Sequence, residues 1–394
     1  MSLIKQVFSA LFTVAFLQLT YAQDAGETEF TEEPGKKTEK STQKANEYFE
    51  AKEYVKAVEL YKDAFSDEKD RNLKAEITFK QAECYRFMND CKNAANYYKR
   101  AVKMKYDAIA QLRYADMLRC QGSYEEALTE YQVYKQEKPT DKRAEQGIES
   151  CKLAIEWMDK PSRYMVNNMK DLNSKGNDYQ AAYAGRRADD YTVLMISSMR
   201  DESVGKREDG WTGQRYSDIY ITEAERKKGR GRARGDDNED LVWSSVTPLS
   251  EMVNTKEHEG VICFDSRMKS LYFTKCINEK NMKLGCMIYE TRKMGQDWAQ
   301  PELVVAAPDS LYSVSHPSLS ADDQFLYFAG DLPGTRGGKD IWVTTYNRRE
   351  KKWDTPKNLG PLVNSAGDEV YPFAHDDGYL YFSSDGHEGM GGKD

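Results

Sequence analysis

Histidine is scarce in this chain, and its cysteines lack metal-binding spacing. The 394 residues hold four histidines and seven cysteines, and no Cys-x-x-Cys occurs. That disfavours a cysteine-rich zinc site or a thioredoxin-type redox site. No Gly-x-Ser-x-Gly, His-Glu-x-x-His or phosphate-binding loop is present, so the sequence supports no catalytic, cofactor-binding or metal residue. Excess basic charge is missing as well: the formal net charge is −8 and the pI is near 5.4. A nucleic-acid partner needs a basic face and is therefore not expected. After residue 22 no segment is apolar enough to cross a membrane, so no transmembrane segment is expected.

At the N-terminus, residues 1–22 read as a secretory signal peptide. Lys5 supplies the positive start, Val7 to Leu19 an apolar run too short to span a bilayer, and Ala22 a small residue suited to cleavage. Gln23 follows, not the cysteine of a bacterial lipid anchor. An exported chain can oxidise its thiols, though an odd number leaves at least one unpaired. Cys276 and Cys286 flank a loop between adjacent strands and form the favoured pair; Cys84 with Cys91 and Cys120 with Cys151 are weaker candidates.

The C-terminal half repeats. Leu271-Tyr272-Phe273, Leu326-Tyr327-Phe328 and Leu380-Tyr381-Phe382 recur about 55 residues apart, the period of a repeat architecture. Their flanks recur too: Gly337-Gly338-Lys339-Asp340 matches Gly391-Gly392-Lys393-Asp394, and Trp298 with Pro301 matches Trp353 with Pro356. A four-stranded sheet cannot cover both of its faces alone and must stack on neighbours. Residues 164–394 thus read as a β-propeller of about four blade units, the last one truncated at Asp394. Tyr272, Tyr327, Tyr381, Asp218, Asp340, Trp298 and Trp353 are its structural motif positions. Tyr164 to Met169 looks like an outer strand that belongs to a blade otherwise missing.

Residues 23–42 are polar and charged with little to bury, and read as a disordered linker. From residue 43 the period turns helical. Ala57, Ala94 and Ala127 stand about 37 and 33 residues apart, each with aromatic neighbours, and this pattern resembles the tetratricopeptide repeat. Ala45, Ala82 and Ala115 supply the matching small position on each first helix. Small residues where helices cross let them approach closely. Residues 43–158 would hold three repeats and a capping helix with Ile148, Leu153, Ile155 and Trp157.

The remaining polar features read as structural. His258 and His316 read as holding one place in the blade motif, just before the innermost strand, and a repeated place implies a repeated structural task. Asp322-Asp323 and Asp376-Asp377 occupy one turn in successive blades, where aspartate caps backbone amides. Asp218 and Asp340 read as hydrogen bonders at strand starts rather than calcium ligands. An insertion at 223–240 carries Arg226, Lys227, Lys228, Arg230, Arg232 and Arg234, followed by acids that include Asp236-Asp237. It reads as a solvated loop, with electrostatic docking of a partner as the sharper alternative.

The fold class is thus multidomain α plus β: a tetratricopeptide-repeat α-solenoid followed by an incomplete β-propeller of PD40/WD40-like blades. Signal peptide, three helical repeats and blades running from Leu326-Tyr327-Phe328 through Asp340-Ile341-Trp342 resemble a family of exported Bacteroidetes proteins in the type IX secretion system. That resemblance implies a non-enzymatic periplasmic scaffold at the inner face of the outer membrane. Its partners would be proteins of the secretion machinery and outer membrane. Peptidoglycan would be reached through an OmpA-like C-terminal domain that these residues do not contain. Two alternatives stand beside it: a TolB-like or glycan-sensing propeller outside that system, and the non-catalytic part of a propeller-gated hydrolase.

Overall fold

The computed structural model describes residues 34–161, 163, 165–187, 189–226, 241–279 and 282–394. The expected signal peptide, most of the linker and the basic core of the insertion lie outside them. Seven helices come first: α1 (Pro34–Glu50), α2 (Tyr54–Asp67), α3 (Arg71–Phe87), α4 (Cys91–Lys103), α5 (Ala108–Cys120), α6 (Tyr124–Glu137) and α7 (Lys142–Asp159). They pack in sequence as antiparallel pairs, each on the next. Ala45, Ala57, Ala82, Ala94, Ala115 and Ala127 are all buried where the helices cross. Aspartates cap α3, α4, α5 and α7 by accepting from first-turn amides, as Asp70 does from Asn72 and Leu73 at 2.8 and 2.9 Å.

One hydrogen bond repeats through the solenoid. Tyr61 donates to Asn46 at 2.5 Å, Tyr98 donates to Glu83, and Tyr131 donates to Asp116 at 2.7 Å, each pair 15 residues apart. All three tyrosines are buried, and a buried hydroxyl without a partner is costly. The aromatic positions are therefore core that ties the second helix of each repeat to its first.

One expectation for this half needs correction. The stretch assigned to a linker is helical from Pro34, because proline suits the first turn of a helix and the polar residues after it extend a helix anchored at Ala45. The last helix, α7, packs on α6 with Ile148, Cys151 and Ala154 buried, and Trp157 on its outer side stays 43% exposed.

Seventeen strands follow among the described residues, in four antiparallel sheets. The first joins β1 (Asp178–Tyr183), β2 (Val193–Ser198), β3 (Asp218–Arg226), β4 (Leu241–Trp243) and β5 (Thr247–Pro248). The second joins β6 (His258–Phe264), β7 (Ser270–Glu279), β8 (Met282–Met294), β9 (Asp297–Trp298) and β10 (Glu302–Val305). The third joins β11 (Val314–Leu319), β12 (Phe325–Gly330), β13 (Asp340–Asn347), β14 (Lys352–Trp353) and β15 (Lys357–Asn358). The fourth pairs β16 (Glu369–Ala374) with β17 (Leu380–Ser384). In the second and third sheets the outer strand is split in two. Pro301 and Pro356 sit at the breaks, and proline cannot donate to a ladder.

The innermost strands β1, β6, β11 and β16 stand side by side in that order, which gives the blades a common axis. Apolar residues fill each seam: Ile262, Leu271 and Phe273 between the first and second sheets, Val314, Leu326 and Phe328 between the second and third, and Ile341 and Val370 between the third and fourth. Burying one such side chain fully is worth about 1.5–3 kcal/mol.

Each inner strand bulges at one residue with positive φ: Gln180 (43°), Val261 (45°), His316 (59°) and Tyr371 (52°). The bulge turns a backbone amide towards the preceding blade. Val261 N–H donates to Ser197 Oγ at 2.8 Å, His316 N–H to Thr274 Oγ1 at 2.9 Å, and Tyr371 N–H to His316 Nδ1 at 3.3 Å. His316 is thus the bulge residue, whereas His258 lies three positions before its own bulge residue, Val261. The two histidines do not share a place in the motif. Nor do residues 165–169 form a strand: Met165 and Val166 are 90% and 95% exposed.

Two changes test the helical packing by denaturant unfolding followed through the helical circular-dichroism signal. Tyr131→Phe should lower stability by about 1 kcal/mol, and Ala94→Leu by about 1–3 kcal/mol through overpacking. A neutral Ala94→Leu would contradict the close helix crossing.

Candidate docking face of the solenoid and the blades

The loop that joins the second and third strands of the first blade meets the solenoid, and so do the residues that follow β17. The first blade's loop contains a tight turn. Asp209 accepts from Thr212 N–H and Oγ at 3.0 and 2.9 Å, and Gly213 N–H donates to Asp209 O at 2.7 Å with Gly213 at φ +72°. This turn presents Trp211 to the solenoid. Its indole Nε1–H donates to the Phe87 carbonyl at 2.6 Å, and its ring meets Tyr54 edge-on with centroids 5.0 Å apart. Phe49, Tyr54 and Phe87 pack on one another behind it.

Helix ends explain why this spot accepts a turn. Phe87 closes α3, and its carbonyl lacks a partner within the helix. Val55 N–H, in the first turn of α2, has the same need, and the N-cap Glu53 makes no side-chain cap. Gly210 O accepts from Val55 N–H at 3.2 Å. A Cβ on Gly210 would lie 2.7 Å from Glu53 Cγ, so only glycine fits there without displacement. A second approach lies at the far end of the solenoid, where a Cβ on Gly391 would come within 2.6 Å of the Arg119 carbonyl.

Between these approaches runs a row of cross-strand pairs. In the fourth blade Lys393 Nζ lies 3.0 Å from Asp385 and 2.8 Å from Asp368. In the third blade Lys339 and Asp331 hold the same row, and Lys339 N–H donates to Asp368 at 2.8 Å. Burial lowers the Lys339 pKa, Asp331 and Asp368 oppose the shift, and Lys52 of the solenoid adds to it. In the second blade the row is closed by the Cys276–Cys286 disulfide, directly across β7 and β8. The helical pairs suggested by sequence are replaced by Cys91–Cys120, which joins the start of α4 to the end of α5. Cys84 and Cys151 are buried and free.

One residue further inward lies a row of buried groups. Asp218 and Asp340 open β3 and β13 and are fully buried. Asp218 Oδ2 accepts from Val204 N–H at 2.6 Å; Asp340 Oδ2 accepts from Arg336 N–H at 2.9 Å and Asn358 Nδ2 at 2.6 Å. The other oxygen of each carboxylate has no hydrogen-bond partner among the described residues. Glu259 and Glu369 of the following blades are equally buried. Glu259 is held by Thr255 and, at 3.0 Å, by Lys275; Glu369 by Ser365 and Ser384. Burial pushes the Asp218 pKa up to about 7, and the charge of Glu259 pushes the same way.

The other motif residues are packing groups. Tyr272 is buried and meets Trp353 with ring centroids 6.4 Å apart; Trp298 is buried, Tyr327 half-buried, and Tyr381 52% exposed. Arg226 ends β3, whereas Lys227, Lys228, Arg230, Arg232 and Arg234 lie outside the described residues. His258 and His316 accept backbone N–H groups and stack on Tyr216 and Tyr371 at 3.8 and 4.1 Å; burial lowers both pKa values. Among the described residues no group of three or more His, Cys, Asp or Glu could hold a metal ion, and no helix is long and apolar enough to cross a membrane. A cleft of about 590 Å³ beside the Trp211 loop is lined by Lys175, Arg200, Glu208 and Arg215, and Arg200 is already tied to Asp178 at 3.1 Å.

Trp211 and Gly210 were not singled out by sequence reasoning. Their signal was Asp209-Gly210-Trp211-Thr212-Gly213, a large aromatic between two turn-forming glycines.

The fold is that of a helical-repeat and blade protein. The tetratricopeptide-repeat family model matches residues 79–142. No curated protein matches the chain. Among solved structures, the first tetratricopeptide-repeat domain of Spaghetti bound to an HSP90 peptide is 20% identical with a TM-score of 0.28, covering 31% of this chain and 94% of that one. The C-terminal repeat domain of a Plasmodium falciparum FK506-binding protein is 20% identical with a TM-score of 0.30, covering 34% and 98%. An α-L-arabinofuranosidase from Lactobacillus brevis is 12% identical with a TM-score of 0.32, covering 52% and 65%.

Asp218→Asn tests the buried carboxylate. Because the folded pKa is raised, its stabilising share is complete below the ordinary value near 3.8 and is lost as pH rises through about 7. The native chain should lose about 1 kcal/mol from this group between pH 6 and pH 8. D218N should lack that loss, as read from denaturant midpoints at the two pH values. An identical pH dependence in both proteins would contradict the assignment.

Proposed function

We propose that this chain is a non-enzymatic scaffold, exported to the periplasm, that links type IX secretion machinery at the outer membrane to the cell wall, and that it resembles PorE in function. The observation that carries this reading is a helical-repeat solenoid braced at two places on the loop face of a blade stack. Both modules offer broad, shallow surfaces of the kind that hold other proteins. The blade motif and the export signal support the secretion assignment, because that combination marks the family this chain resembles. Wall binding belongs to the OmpA-like domain that accompanies these modules in the family.

The test is affinity isolation of the tagged, full-length protein from chemically cross-linked native envelopes. Recovery of outer-membrane subunits of the secretion machine is expected. Clean isolation of the protein with none of them would overturn the reading.

A further inference from the structure

We propose that the aromatic socket of Phe49, Tyr54 and Phe87 is a recognition pocket for a Gly-Trp turn, that Trp211 fills it as an internal ligand, and that a partner protein carrying such a turn exchanges with Trp211. This proposal does not depend on the secretion reading.

Three features define what the socket accepts. First, it has one polar acceptor, the Phe87 carbonyl, and one polar donor, Val55 N–H. The first takes the indole Nε1–H at 2.6 Å and the second binds Gly210 O at 3.2 Å. Both are helix-end groups that need a partner, so an occupant must bring a carbonyl one residue before an indole donor. Phenylalanine and tyrosine cannot supply that N–H from a ring edge. Second, the residue before the tryptophan must be glycine, since a Cβ there would lie 2.7 Å from Glu53 Cγ and 3.2 Å from Glu53 Cβ. Third, two cations lie over the rings: Lys52 Nζ sits 5.9 Å from the Trp211 ring centroid, and the Arg86 guanidinium, paired with Glu83 at 2.6 Å, lies 4.1 Å from that of Phe87. Cations over ring faces strengthen the aromatic contact, and an acid before the glycine closes the turn itself, as Asp209 does by accepting from Thr212.

Exchange is feasible because the occupant is a half-buried side chain on a surface loop, and it meets the solenoid through one ring and two hydrogen bonds. An internal ligand lowers the apparent affinity for an external one by the fraction of time it holds the pocket.

The experiment uses the full chain and a fluorescent peptide with the sequence of residues 205–217. W211A should bind this peptide at least about tenfold more tightly than the native chain does, because the pocket is no longer held from within. A peptide with alanine in place of the tryptophan should bind neither protein. Equal affinity for the native chain and W211A, or binding that ignores the tryptophan, overturns the proposal. Should W211A not fold, G210A serves instead: it keeps the indole and disturbs only the close approach to Glu53. Failure of the peptide to bind a folded G210A more tightly than the native chain also overturns the proposal.

Discussion

A sheet of a few short strands has two apolar faces, and in this molecule neighbouring sheets cover one another's facing sides with their inner strands side by side around an axis. The positive-φ bulge makes that stacking directional. At Val261, His316 and Tyr371 the backbone turns and gives an amide to the blade before it. A β-branched valine at φ 45° is strained, and the seams around it offset that strain. The buried rows at the seams then differ by place. Acids stand at the first and third seams, Asp218 with Glu259 and Asp340 with Glu369, while Met287 and Val314 hold the matching positions between them.

The solenoid depends on the same stack for its seat. Its tyrosine ladder and buried alanines make it a packed body in its own right. Its orientation on the propeller, however, is set by blade loops, with Trp211 near one end and Gly391 near the other. Two unmet helix-end groups, Val55 N–H and Phe87 C=O, are satisfied by one turn of the first blade.

Much of this was legible in the sequence, because repeats write themselves at fixed spacing. Leu326-Tyr327-Phe328 and its copies announced the blades, and Ala57, Ala94 and Ala127 announced the helical pairs. What escaped is what period does not encode. Trp211 and Phe87 are 124 residues apart, and no local pattern joins them. Cys91 and Cys120 pair because antiparallel helices bring the start of α4 to the end of α5, not because of their spacing. The place of His316 became clear only once the bulge set the register of β11, since a shift of one residue moves a side chain to the other face. The helix at Pro34 was hidden by composition, for its residues are polar and its stability comes from Ala45 onward.

The central claim is that the blades are one cooperative stack held by these inner-strand amides. Native-state hydrogen exchange resolved at Val261, His316 and Tyr371 tests it most directly. The account predicts that the three amides exchange together, and only when the whole stack unfolds. Separate exchange at each, faster than global unfolding allows, would contradict it.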